Sequence, residues 1–331
     1  MTAASFVARR RALDAVAPWA RRNAWTLGLV GFLCLLLVYT KLIQASYDAS
    51  GVQGLAIGVL PLALAAVAQA VVVMSGGIDL SIGSMMALTS VVCATMMKGQ
   101  SEEFGVAVVL GVLVLGLVLG AVNGALVVLT KVPDIVVTLA MSFVWAGCAL
   151  LVRAAPGGAA SDWLKTLVLG SFVTDWLPKS AIVLVVVVAV IWIPVARSRL
   201  GLSIYAIGSN RLAAFRSGVP VGRTKFFAYA LTGLYSALAG LSLTASTGIG
   251  TPVPGPYTLM SVAAVVLGGV SLAGGRGGLF GPIVAVVVLQ MIRTDMTFLS
   301  IDSNYAYVAQ GLILVGVVMV GSFILMRRSR A

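Results

Sequence analysis

The chain has 331 residues, 60% of them hydrophobic and only 10% charged, with no histidine and a net charge of +12. Soluble domains carry roughly a quarter charged residues, so this surface needs lipid as its solvent, and the missing imidazole removes most histidine-based acid–base and zinc chemistry. The basic residues sit in short loops between apolar runs, which is a membrane-orienting pattern rather than a nucleic-acid-binding one.

Residues 1–24 read as a cytoplasmic tail, because the first long apolar run starts only at Trp25 and shows no small-residue cleavage site. Candidate spans follow near 25–45, 53–74, 81–97, 104–130, 134–153, 180–196, 224–246, 258–272, 279–297 and 305–326. The expected fold is an all-α integral membrane bundle of about ten transmembrane helices, a single transmembrane domain over 25–326, with a short tail at 327–331. With the N-terminus inside and ten crossings, 16 of the 22 basic residues fall on the inner side. This bias places both termini in the cytoplasm. Loop 154–179 then lies outside and is nearly neutral, whereas loop 197–223 lies inside and is strongly basic. Cys34, Cys93 and Cys148 lie within apolar runs without a CxxC pair and read as packing residues. No catalytic or metal-binding set stands out.

The stretch MSGGIDLSIGSMMAL at 74–88 carries an acid inside an apolar run, which is costly and needs a reason. Gly76 and Gly77 break the helix before it, and Asp79 or Ser81 is placed to cap the helix after it. The functional reading is that Gly76, Gly77, Asp79 and Ser81 shape or line a path; the plainer reading is a helix cap. Gly76 to Gly83 matches Gly268 to Gly275 at four of eight positions. Glycine-interrupted segments in corresponding positions of two halves mark transporter binding regions, so Gly268, Gly269 and Ser271 join the expected path or hinge. Half-helices are expected near 76–83 and 268–275. Asn123, Thr138, Gln69 and Gln290 lie within apolar runs as interhelical glue or path contacts, and Gly116, Gly120 and Gly124 permit close helix packing.

Loop 197–225 contains a predicted helix from Arg211 to Ser217, with Asn210 as N-cap, Gly218 at the left-handed position after it and Pro220 as a stop. Arg211 and Arg216 make it basic, and the small Ala213, Ala214 and Ser217 let a partner surface approach closely. It is either a docking helix for a cytoplasmic protein or a basic loop held near anionic lipid. The glycine-rich 265–286 stretch is not a phosphate loop, and GxxxxGK[ST] occurs nowhere in the chain.

These stretches together resemble the permease subunits of ribose-type monosaccharide ABC importers, kin of the branched-chain amino-acid permeases. The resemblance rests on Gly76 to Ser84, Gly120 to Gly124, Val136 to Leu139, Leu200 to Val219 and Ala263 to Gly277, in order. Arg211 and Leu212 depart from the acidic residues often found after the loop asparagine, and Asp134 departs from an often apolar position. The resemblance implies a bacterial inner-membrane, multi-pass subunit that pairs with a second permease, as homodimer or with a paralogue. It further implies a periplasmic sugar-binding protein outside and a separate cytoplasmic ABC ATPase that carries the ATP and magnesium and grips residues 210–218. The chain itself is then a transport subunit with no cofactor, not an enzyme, carrying a monosaccharide or related polyol. Branched-chain amino acids, nucleosides and a sugar-like signalling molecule are the alternative cargoes, and a ten-helix secondary carrier is the alternative machine.

Overall fold

The computed structural model describes residues 24–253 and 255–302, together with 305, 308, 311, 312, 315, 316 and 319. Residues 1–23 of the expected 1–24 tail, the tail at 327–331 and most of the tenth apolar run lie outside these residues. The described elements are α1 (Ala24–Ile43), α2 (Ala49–Met74), α3 (Ile82–Met97), α4 (Glu102–Thr130), α5 (Asp134–Val152), α6 (Asp162–Val168), α7 (Lys179–Ala196), α8 (Arg199–Ser209), α9 (Arg211–Arg216), α10 (Val221–Thr247), α11 (Tyr257–Leu267) and α12 (Phe280–Phe298). There is no strand among the described residues, only two isolated bridges.

Seven helices, α1, α2, α4, α5, α7, α10 and α12, are long and apolar enough to cross a membrane. Helices α3 and α11 are shorter apolar segments. This is a polytopic membrane bundle. Helix α2 is its axis: every residue from Val59 to Met74 is buried, and α10, α12, α11 and α7 pack around it. Its run of alanine and valine suits that place, since helices in lipid associate through close packing and not through exclusion of water. On α4, Gly116 and Gly120 lie directly on the backbone of Gly233 and Tyr229 of α10, as the glycine spacing predicts. By contrast α5 and α7 bury few residues and present apolar faces outward.

Loop contacts define two ends. At one end Gly157 and Gly250 pair, the Ala160 amide donates to Gly248, and the Glu102 carboxylate accepts from the Asp162 and Trp163 amides at the start of α6. At the other end the segments 74–81, 131–134, 197–222 and 267–279 meet. Lys131, Arg197, Arg199, Arg211, Arg216, Arg223, Lys225 and Arg276 belong to this second end. Two elements inside the predicted loops escape a reading by apolar length: α6 in 154–179, and α8, whose Gly201, Ile204 and Ile207 are buried while Leu202 is exposed.

Candidate functional site

Both glycine breaks lie at the arginine-rich end and open with the same backbone motif. Helix α2 ends at Ser75, Gly76 takes φ +77°, the Gly76 amide donates to Val73 and the Gly77 amide to Val72. Helix α11 ends at Gly268, Gly269 takes φ +80°, its amide donates to Val266 and the Val270 amide to Val265. The pair of reversed bonds satisfies carbonyls that a helix end leaves open, and the positive φ costs least at glycine. The repeat is therefore real in conformation, but its register differs from the sequence match by one residue. Gly76 corresponds to Gly269 and Ser75 to Gly268, because φ, not identity, sets the equivalence.

The first break is held by side chains. Asp79 is fully buried, and its Oδ1 accepts from the Ser81 amide at 2.8 Å and the Ser81 hydroxyl at 2.6 Å. Neither residue caps α3 as expected: Ser81 stands at the N-cap position without a side-chain bond to the helix, because its hydroxyl is spent on Asp79. Asn123 of α4, also fully buried, donates to Ser81 Oγ at 2.7 Å and accepts from the Trp145 indole of α5 at 3.2 Å. Thr138 of α5 accepts the Leu80 amide at 3.1 Å, with its hydroxyl 3.2 Å from the Ile78 carbonyl. The structure thus joins Asp79, Ser81 and Asn123 in one side-chain network, with Thr138 bonded to the backbone of the same break and Gly76 and Gly77 at its start. Asp79 Oδ2 and both amide atoms of Gln69 find no partner among the described residues.

The second break is held mainly by backbone, with the Tyr205 hydroxyl donating to the Gly277 carbonyl and the Ser209 hydroxyl to the Gly275 carbonyl. A side chain on Gly268 would collide with the Pro282 backbone, and Gly274 sits on the Cα atoms of Gly76 and Gly208. The Gly275 amide donates to the Met74 carbonyl at 3.0 Å. Trp25 of α1 covers Gly269 and donates to the Leu267 carbonyl at 2.7 Å. Ser271 contributes its backbone, accepting from the Gly274 amide and donating to the Arg276 carbonyl; it does not join the polar network of the first break. Gly208, near the C-terminal end of α8, touches both breaks at once, against the Met74 carbonyl on one side and the Gly275 amide on the other. Glycine at 208 is the one residue type that lets three backbone segments converge there.

Helix α9 follows directly. Asn210 ends α8 and caps α9, its Oδ1 accepting the Ala213 amide at 2.9 Å. Gly218 takes φ +81°, and reversed bonds from Gly218 to Phe215 and from Val219 to Ala214 close the helix. The helix and its caps are as the sequence predicts. Of the residues expected on its docking face, Arg211, Ala213, Arg216, Ser217 and Gly218 are exposed, and Ala214 alone is turned inward. Ala214 is buried and packs with Ile207 and Val221, so it anchors α9 to the bundle. Leu212 and Phe215 are 58% and 67% exposed. They line an open groove of about 690 Å³ with Arg211, Val219, Pro220 and Arg223. Two large apolar side chains in a basic loop are the signal that sequence reasoning passed over. Arg216 and Ser217 lie exposed beside them.

A family profile described as branched-chain amino acid transport system / permease component matches residues 51–318. The chain belongs to that family. It is 31% identical over 266 residues to the ribose import permease protein of Haemophilus influenzae, covering 79% of this chain and 82% of that one. It is 30% identical to the D-allose transport system permease protein of Escherichia coli, over 74% of this chain and 75% of the relative. It is also 30% identical to an autoinducer 2 import system permease protein of Escherichia coli, over 78% and 79% of the two chains. No solved structure matches. The family match covers both breaks, α8, α9 and the packing glycines of α4, so this multi-pass protein is a transport component and not an enzyme.

Proposed function

We propose that this chain is the membrane-spanning subunit of an ATP-driven importer for a monosaccharide or related polyol in the bacterial inner membrane. The observation that carries the proposal is α9: a short, doubly capped helix at the basic end, with an exposed apolar face and direct packing onto the segments that hold both breaks. A separate ABC ATPase, bringing ATP and magnesium, docks on Leu212 and Phe215. The basic bias supports a cytoplasmic place for this end and for both termini. A periplasmic binding protein delivers the solute at the opposite end, and a second permease completes the pore. The relatives named for ribose and allose support a sugar cargo, while the one named for autoinducer 2 supports a sugar-like signal as the second possibility. Gly76, Gly77, Asp79, Ser81, Asn123, Thr138, Gly268, Gly269 and Ser271 then act as the hinge that changes access, as movement of α9 reaches Gly208 through α8.

Affinity purification of the permease from its native membrane tests this reading. It should bring down a protein with a GxxxxGK[ST] loop, and Leu212→Asp with Phe215→Asp should lose it while the permease level stays unchanged. Retention of that ATPase by the double variant would remove α9 as the docking site.

A further inference from the structure

Asp134 begins α5 at the arginine-rich end. Its carboxylate pairs with Lys225 of α10 and accepts from the Tyr229 hydroxyl at 3.0 Å. The Lys225 and Asp134 side chains are only 8% and 14% exposed. Lys225 and Tyr229 lie one turn apart on α10, and Asp134 and Thr138 lie one turn apart on α5, so each helix offers two polar groups on one face. All four converge on the first break. The Tyr229 hydroxyl lies 3.5 Å and that of Thr138 3.2 Å from the Ile78 carbonyl. Gly77 is pressed against the Asp134 carboxylate and the Tyr229 hydroxyl, with no room for a side chain. The pair also lies beside α9: Arg211 and Lys131 share with Asp134, Lys225 and Gly222 a cavity of about 240 Å³. Ala214 of α9 packs on Val221, one turn before Lys225.

We infer that Asp134 and Lys225 are positioning residues that link α9 to the 75–81 break. The contact chain runs from Ala214 to Val221, along the first turn of α10 to Lys225, across the ion pair to Asp134, and through Tyr229 and Gly77 to the break. An ion pair withdrawn from water suits this task. Separating its partners leaves a charge uncompensated in a low-dielectric place, so the two helices and the break move together or not at all. Lys131 and Arg211 are the neighbouring cations in the same cavity. The inference rests on the reading of α9 as the ATPase contact.

Hydrogen exchange of the purified full-length permease in lipid nanodiscs tests the link without any ATPase, so its result is separable from that reading. Asp134→Asn and Lys225→Met should each raise exchange of the backbone amides in 75–81 and in 211–222 at least tenfold. The periplasmic-side amides of 154–178 should stay unchanged, a pattern that general destabilisation would not give. The double variant should exchange no faster than either single one, because both remove the same pair, and Asp134→Glu should restore slow exchange. A uniform rise along the chain, additive effects in the double variant, or no change in 75–81 would each overturn the inference. If Lys225→Met does not fold, comparing Asp134→Asn with Asp134→Glu decides the same question from the regional pattern alone.

Discussion

The two glycine breaks begin with the same bonds and are held in opposite ways. The 75–81 break is buttressed by side chains from three helices: Asn123 of α4, Thr138 and Asp134 of α5, and Tyr229 of α10. The 268–279 break is fitted mainly by backbone against backbone, with Gly268 on Pro282 and Gly275 on Ser209, and the side chains that reach it, Trp25, Tyr205 and Ser209, all bond backbone carbonyls. The difference shows at the equivalent pair Ser75 and Gly268. The first has room for a hydroxymethyl group, which bonds the Val72 carbonyl at 2.7 Å; the second has none. A polar network can be loosened and remade, whereas steric contact yields only by moving whole segments. The contrast predicts that the first break rearranges more readily than the second.

The comparison can be broken at its shared point. Gly208→Val should have the largest effect, since the added carbons meet the Met74 carbonyl and the Gly275 amide together. A cost of about 3 kcal/mol or more is expected for overpacking three backbones. It should show in thermal unfolding of the solubilised protein as a large drop in melting temperature, and an unchanged melting temperature would remove Gly208 as the junction.

Exchanging the equivalent residues comes next. Gly268→Ser should cost about 2 kcal/mol through its clash with Pro282. Ser75→Gly should cost about 1 kcal/mol, for one lost hydrogen bond. Equal costs in the same unfolding assay would erase the contrast between a packed and a bonded break. Asn123→Ala should sit between them, at about 1 to 2 kcal/mol, because it strands the Trp145 indole and removes the bond that the Ser81 hydroxyl accepts. Its distinguishing mark is faster exchange of the 79–81 amides, with 268–279 unaffected. Gly278→Ala should be the smallest, within about 0.5 kcal/mol, since a methyl group there meets nothing. A larger cost would mean that the second break is packed at Gly278 as well.

Much of this was legible in the chain. Hydropathy placed the long spans within a few residues, because lipid demands unbroken apolar runs. Asn210, Gly218 and Pro220 marked α9, since caps are local chemistry. Three features needed the fold. Helix α8 hides in 199–209 because a helix lying across the end of a bundle needs only one apolar stripe, Gly201, Ile204 and Ile207. The one-residue shift between the breaks is invisible when both members of each pair are glycine, as identity then says nothing about which takes positive φ. The Asp134–Lys225 pair joins residues 91 apart; the acid stood out as unusual, but its partner could not be named from spacing. The orientation of Ala214 belongs to the same class, because a six-residue helix has too few positions to show a face.

The most direct measurement is uptake into proteoliposomes containing the permease and its co-purifying ATPase, with the binding protein and its native solute outside. Accumulation that requires ATP on the α9 side, and that disappears in the Leu212→Asp, Phe215→Asp variant, is the predicted result. Accumulation driven by an ion gradient through the permease alone would contradict it.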